Sequence, residues 1–283
     1  VRTKCYTICN SKNRRQKRKR MFSIVIPTLQ KDTKLLKMLL DELNQDQTVG
    51  EIILIDNSLQ GFEYNSDKLR IIVPNENLFV NPSWNLGVEK AKFDYVGILN
   101  DDILLPKNLV SDVYSFLQGE NIGLVGIDKK SIFGYKPEEI KDYPQNSEIK
   151  YLPIKNDLYI GYWGVAIFGE KSHFSKIPQE MKIWCGDNFL LKTNQDKCRK
   201  NFKLRCDKII HLGSLSCGTS TLDGIKKSDI EFYSTIDPQF KNHDCGVKKQ
   251  TFLNKIFTLT NSSDRRRKLL TIFGHTFTIK KMD

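Results

Sequence analysis

Asp101 and Asp102 stand side by side after the apolar run Asp94-Tyr95-Val96-Gly97-Ile98-Leu99, with Asn100 between the run and the acids. A stretch rich in Val, Ile, Leu and Tyr reads as a buried strand. Adjacent carboxylates at its carboxyl end repel each other, and burying them as bare anions is costly. A divalent cation is the usual compensation. In an open α/β sheet the carboxyl ends of the strands are also where ligands bind. A plain Asn-Asp-Asp turn capping a helix that begins near Pro106 fits the same residues.

The elements that must position this motif alternate. Phe22–Ile26 is an apolar strand ended by Pro27-Thr28, and Leu35, Leu36, Leu39, Leu40 and Leu43 mark an amphipathic helix over 33–44. Strands follow at Glu51–Asp56 and Leu69–Val73; Asn81-Pro82 signals a helix through Lys92, with Asn81 as cap. After the strand at 94–99 come a helix over 106–117 and a strand at 122–126. Strands separated by helices predict a mainly parallel sheet covered on both faces. The second half is less regular. Residues 129–150 read as an inserted loop or lid, 151–168 as aromatic and strand-like, 187–193 and 228–233 as helical, and 202–212 as one or two strands.

The net charge of +12 belongs to the ends: residues 1–20 carry +9 and residues 264–283 carry +4, leaving −1 for the body. A folded nucleic-acid-binding face is therefore disfavoured. Residues 1–20 read as a disordered basic arm, 21–245 as the folded domain and 246–283 as a basic tail. The seven cysteines are odd in number and form no C-x-x-C pair, which predicts reduced thiols rather than zinc or a disulfide framework. The longest apolar stretch, 160–169, is too short to span a bilayer, and no signal peptide is visible; a cytoplasmic location is expected.

Four segments, Ser23-Ile24-Val25-Ile26-Pro27-Thr28, Ile53-Leu54-Ile55-Asp56-Asn57-Ser58, Trp84-Asn85-Leu86-Gly87-Val88 and Leu99-Asn100-Asp101-Asp102, resemble in order and spacing the family 2 glycosyltransferases of the GT-A fold. Gly161–Phe168, Gly186-Asp187-Asn188-Phe189-Leu190 and His211-Leu212-Gly213-Ser214 continue the resemblance, which covers about residues 22–215. It implies an α/β, Rossmann-like, mostly parallel sheet with helices on both faces and a smaller mixed acceptor-side region. It also implies inversion at the anomeric carbon, a divalent cation (Mn²⁺ or Mg²⁺) and a nucleotide-sugar donor, with UDP ahead of GDP or dTDP on family frequency alone.

Carried onto this chain, the resemblance makes Asp102 and His211 metal ligands and Asp187 the base that deprotonates the acceptor. Thr28, Asp56, Asn85, Asn100 and Asp101 fall on the nucleotide-sugar side, and Tyr162 and Trp163 on the acceptor side. Each has a structural alternative: an Asx-turn for Asp56, a helix cap for Asp187, core packing for Trp84, Tyr162 and Trp163. The chain departs from the family where Trp84 replaces a basic residue, Asn100 the first acid, and Gly186 a glutamate. The stretch 265–274 resembles the basic-aliphatic ends of bacterial enzymes of lipopolysaccharide, lipooligosaccharide or capsule synthesis. Its two readings are a peripheral contact with the cytoplasmic face of the membrane through 265–273, or a small strand at 277–279 completing the fold.

Two other functions compete. A sugar-nucleotide nucleotidyltransferase would want a glycine-rich phosphate loop after the first strand, where Pro27-Thr28-Leu29-Gln30 stands, and a dehydrogenase would want G-x-G-x-x-G. A nucleic-acid-binding protein would use the arm at 12–20.

Overall fold

The computed structural model describes residues 21–133, 143, 145–155, 161–207, 209–212, 222–242, 257–261, 267–272 and 275–281. The basic arm, Gly213-Ser214 and much of the expected lid lie outside them. In chain order the strands are β1 (Phe22–Thr28), β2 (Val49–Asp56), β3 (Leu69–Ile72), β4 (Tyr95–Leu99), β5 (Ile103–Leu104), β6 (Ile122–Ile127) and β7 (Ile132–Phe133). They continue with β8 (Lys150–Pro153), β9 (Ala166–Glu170), β10 (Lys200–Arg205), β11 (Ile209–His211), β12 (Phe257–Asn261), β13 (Arg267–Ile272) and β14 (His275–Lys281). The helices are α1 (Thr33–Gln45), α2 (Val80–Lys90), α3 (Leu109–Phe116), α4 (Gly186–Asp196) and α5 (Asp223–Ile236).

Eight strands form the main sheet in the order β3-β2-β1-β4-β9-β6-β10-β8. The first four run parallel; β9 enters antiparallel between β4 and β6, and β8 closes the far edge antiparallel to β10. Side chains alternate across the sheet as a period of two requires. Phe22, Ile24 and Ile26, with Ile52 and Leu54, pack on one face against the leucines of α1 and against Leu109 and Val113 of α3. Val25, Ile53 and Ile55 pack on the other face with Trp84 of α2 and Leu190 and Leu191 of α4. Each fully buried Leu or Ile contributes about 1.5–3 kcal/mol relative to exposure, so two continuous clusters make the sheet a rigid platform.

Two helix starts differ from the sequence expectation. Helix α2 begins at Val80, with Phe79 at the cap in a left-handed conformation (φ 64°), so Asn81 is a buried helical residue rather than the cap. Helix α3 begins at Leu109, because Leu109 N–H bonds the Pro106 carbonyl in a preceding turn. Strand β1 runs through Pro27-Thr28 rather than stopping before them: its pairing with β4 ends at Val25, so the proline interrupts no ladder on that side.

A small second sheet, β5-β11-β7, lies beside the carboxyl end of β4. The last strands, β12-β13-β14, form an antiparallel sheet, so the basic-aliphatic stretch contributes a strand at Arg267–Ile272. Among the described residues no helix is long and apolar enough to cross a membrane.

Gly126 of β6 lies beneath the indole of Trp163, where an added Cβ would sit 2.5 Å from ring atoms. Trp163 is 1% exposed and its Nε1–H donates to the Phe202 carbonyl at 3.0 Å. Gly126→Ala is expected to displace the indole and destabilise the domain by about 1–3 kcal/mol, measured as a lower denaturation midpoint with an unchanged slope.

Candidate active site

Strands β1 and β4 are parallel neighbours, so their carboxyl ends emerge together. Thr28 Oγ1–H, at the end of β1, donates to Asp101 Oδ2 at 2.6 Å. Burial is the largest influence on the Asp101 carboxyl and, with Asp102 beside it adding to the effect, pushes it up to about 6 against the opposing Thr28 bond.

The second sheet delivers the partner of Asp102. His211 of β11 pairs with Ile103 of β5, and Leu212 N–H bonds the Asp102 carbonyl at 3.1 Å. That register brings His211 Nε2 to 3.3 Å from Asp102 Oδ1, with both residues 8% exposed. Asn100 Nδ2 lies 3.5 Å from the same Nε2. His211 Nδ1 has no partner among the described residues, so the polar interactions of the ring gather on Nε2, the atom facing Asp102.

These donors suit a hard-to-borderline divalent cation. A carboxylate oxygen and an imidazole nitrogen 3.3 Å apart are donor types that Mn²⁺ and Mg²⁺ accept. No group of three or more His, Cys, Asp or Glu converges among the described residues.

Asp102 and His211 line a cavity of about 260 Å³ together with Thr28, Asn57, Phe79, Asn100 and Asp101. A second cavity, about 350 Å³, is lined by Tyr162, Gly164, Trp184, Asp187, Asn188 and Lys226. Val80, Asn100 and Ile183 line both, so the cavities share a wall.

Asp187 occupies the first turn of α4 but is not its cap, a position held by Cys185 in the left-handed region (φ 62°). Burial raises its pKa above the usual carboxylate value, outweighing N–H bonds from Asn188, its own backbone and Gly164. Gly164 leaves little room: a Cβ there would lie 3.0 Å from Asp187 Oδ2. Tyr162, also left-handed at φ 68°, stands edge-on to His211 at 6.0 Å between ring centres.

The sequence model of the glycosyl transferase family 2 matches residues 23–177. The chain belongs to that family. Its sheet and helices are those of the GT-A fold, and it is a glycosyltransferase. Among solved structures it is similar to a mannosyltransferase, PcManGT from Pyrobaculum calidifontis, described in complex with GDP-Man and Mn²⁺. Identity is 11%, covering 76% of this chain and 64% of that one, with a TM-score of 0.52. It is also similar to residues 1–349 of TarS from S. aureus, at 13% identity over 81% of this chain and 76% of that one, with a TM-score of 0.48. Comparison with curated protein sequences gives no match. The family match ends before Asp187 and His211.

Not every expected residue reaches the site. Trp163, expected on the acceptor side, is core: its indole is buried over Gly126 and bonded to Phe202. Asn85 does not line the cavity of Asp102 and His211, and its amide is spent on Ile177, donating to its carbonyl at 2.8 Å and accepting from its N–H at 2.9 Å. Asp56 is fully buried and builds the turn after β2, accepting from Ser58 N–H, Ser58 Oγ–H and Gly61 N–H at 2.6–2.9 Å. Burial pushes its pKa up, but the bonds from Ser58, Gln30 and Gly61 prevail and lower it. Asn57, its neighbour, lines the cavity of Asp102 and His211. Leu222, Trp184 and Lys226 also line the cavities, and nothing in their sequence context signals it.

Gly186 explains one departure from the family pattern. A Cβ on Gly186 would fall 2.1 Å from Asn81 Oδ1, so the buried Asn81 occupies the room that a glutamate there would need. Gly186→Ala should therefore destabilise the protein and lower its turnover, and Asn81→Ala combined with it should recover part of the loss. Unfolding midpoints of the two single variants and the double variant measure that coupling, expected at about 0.5–3 kcal/mol.

Proposed function

We propose that this transferase moves a sugar from a nucleotide-sugar donor to a hydroxyl of a glycan or glycolipid acceptor, inverting the anomeric carbon with the help of a divalent cation. The observation that carries the reading is the shared wall. Asp102 and His211 converge in one cavity, Asp187 stands in the next, and Asn100 lines both. A leaving diphosphate on one side and a base on the other is the arrangement that a single displacement requires.

Asp102 and His211 would hold the cation. A bound Mn²⁺ or Mg²⁺ supplies charge neutralisation to a departing diphosphate. Asp101, held by Thr28, faces the donor and is suited to a ribose hydroxyl or a metal-bound water. Asn100 offers an amide at the boundary between donor and acceptor without adding a third negative charge. Asp187 takes the acceptor proton as the acceptor oxygen bonds to the anomeric carbon, and the bond from that carbon to the diphosphate breaks. Trp184 and Tyr162 give the acceptor cavity aromatic faces for the C–H face of a sugar.

The complex of PcManGT with GDP-Man and Mn²⁺ supports the donor class and the cation; UDP as the nucleotide rests on family frequency. A role in lipopolysaccharide, lipooligosaccharide or capsule synthesis at the cytoplasmic face of the membrane is supported by the basic-aliphatic sequence at 265–273. A thermal-shift panel of UDP-, GDP- and dTDP-sugars with and without Mn²⁺ tests the donor directly, because a ligand bound only to the folded state raises its melting temperature. A cation-dependent shift is expected for one nucleotide class.

Asp102→Ala is expected to abolish cation-dependent donor binding in calorimetry while the fold persists; unchanged binding would remove Asp102 from the metal site. Asp187→Asn should keep donor affinity and lose transfer by at least ~10²-fold. The pH profile adds a sign. A base works when deprotonated, and burial holds the Asp187 proton to a higher pH than an ordinary carboxylate. Turnover at saturating donor should therefore fall as pH drops through a value above the usual carboxylate range, and the residual activity of Asp187→Asn should lack that limb.

A further inference from the structure

Helix α5 borders both cavities: Leu222, just before it, lines the donor side, and Lys226 and Ile230 line the acceptor side. One of its carboxylates, Asp229, is fully buried. Its Oδ1 accepts the N–H of Lys182 at 3.0 Å, and its Oδ2 accepts the N–H groups of Ile183 and Trp184, both at 2.8 Å. Three consecutive N–H groups aimed at one point form an anion nest. Here the chain fills the nest with its own side chain.

The clamped loop leads directly into the catalytic turn. Ile183 lines both cavities, Trp184 lines the acceptor cavity, and Cys185 turns the chain through its left-handed φ into Gly186-Asp187. From the other side Asn81 holds the same loop, its N–H bonded to the Lys182 carbonyl and its Nδ2 to the Met181 and Trp184 carbonyls. Asn81 fixes the loop to α2, and Asp229 fixes it to α5.

We propose that Asp229 is a positioning residue for transfer: by clamping 182–184 it sets the orientation of Asp187 and the distance of the α5 wall from it, so that base and acceptor oxygen align. Asp229 acts through the loop and touches neither donor nor cation. The inference rests on the reading of Asp187 as the base.

The test compares native protein with Asp229→Asn, which keeps the shape and loses the charge and one acceptor. Amide hydrogen exchange reads the clamp, calorimetry with UDP, GDP and dTDP in Mn²⁺ reads the donor side, and turnover of UDP-glucose, UDP-galactose and GDP-mannose reads catalysis. Exchange at 182–184 should quicken by about tenfold or more. Turnover number should fall by about 10–100-fold while nucleotide affinity stays within about threefold. Unchanged exchange or unchanged turnover would overturn the proposal, as would a parallel loss of affinity, turnover and melting temperature, which marks general destabilisation. Should Asp229→Asn fail to fold, Asp229→Glu keeps the charge and moves it by one methylene; reduced turnover at native affinity supports the clamp, and native turnover rejects it. A native protein that binds none of UDP, GDP and dTDP overturns the assignment of the two cavities on which the proposal rests, and the proposal with it.

Discussion

Asp101 and Asp102 repel each other at the end of a buried strand, and that repulsion must be compensated before anything else can be built around them. The compensation is distributed over the fold. Thr28 reaches Asp101 from the neighbouring strand, and His211 reaches Asp102 from a short strand more than a hundred residues later in the chain. Neither partner is a permanent positive charge, and burial, with Asp102 beside it adding to the effect, holds the Asp101 carboxyl at about 6, above its ordinary value. A site left with excess negative charge, enclosed by rigid strands and opening on a cavity, is one that a cation enters with gain. Had a lysine filled the same place, the acids would be satisfied and the site closed.

The rigidity that keeps this imbalance in place comes from pairing at two scales. The main sheet sets β1 beside β4 with both faces packed, and the small sheet sets β11 beside β5 in the register that opposes His211 to Ile103. Asp187 is held differently, after a loop whose polar groups are taken up by buried side chains. Asn81, Asn85 and Asp229 accept or donate to backbone groups of residues 177–184. A buried amide or carboxylate is tolerated where its bonds are made; Asp229 and Asn85 use both ends of their side chains on the loop, and Asn81 uses its Nδ2.

The parts of this arrangement visible in the sequence are those written in short-range pattern. The leucines of α1 at helical spacing and the Val and Ile runs of β1, β2 and β4 announced their elements, because burial on one face or both imposes a period. Residue type and a family resemblance singled out Asp102 and His211, which the fold brings within 3.3 Å of each other, and Asp187, which lines the adjoining cavity. Long-range pairing left no such trace. That β9 would insert antiparallel between β4 and β6 depends on strands some forty to seventy residues apart meeting edge to edge. Local signals also misled where a tertiary bond outranked them. Asn81-Pro82 has the composition of a cap, yet Asn81 lies within the first turn, two residues past the cap, where its buried amide bonds the 181–184 loop. Trp163 has the look of a sugar platform, yet Gly126 opens a slot that takes its indole into the core. Asp229 in an amphipathic helix reads as one more solvated charge.

Gly186 and Asn100 show how a departure from a family pattern can be absorbed. At Gly186 the loss of a glutamate and the presence of a buried asparagine opposite are two sides of one packing decision, since Asn81 Oδ1 stands where any Cβ would go. The carboxylate that the pattern would place there is absent, and Asp187 is left as the acid of that turn, in surroundings dry enough to raise its pKa. At Asn100 an amide replaces a third carboxylate on the wall shared by both cavities. Since Asp102 already adds to the upward push on the Asp101 carboxyl, a further anion at that point would add to the same repulsion. The neutral amide keeps hydrogen-bonding capacity at the boundary and spares the acids behind it.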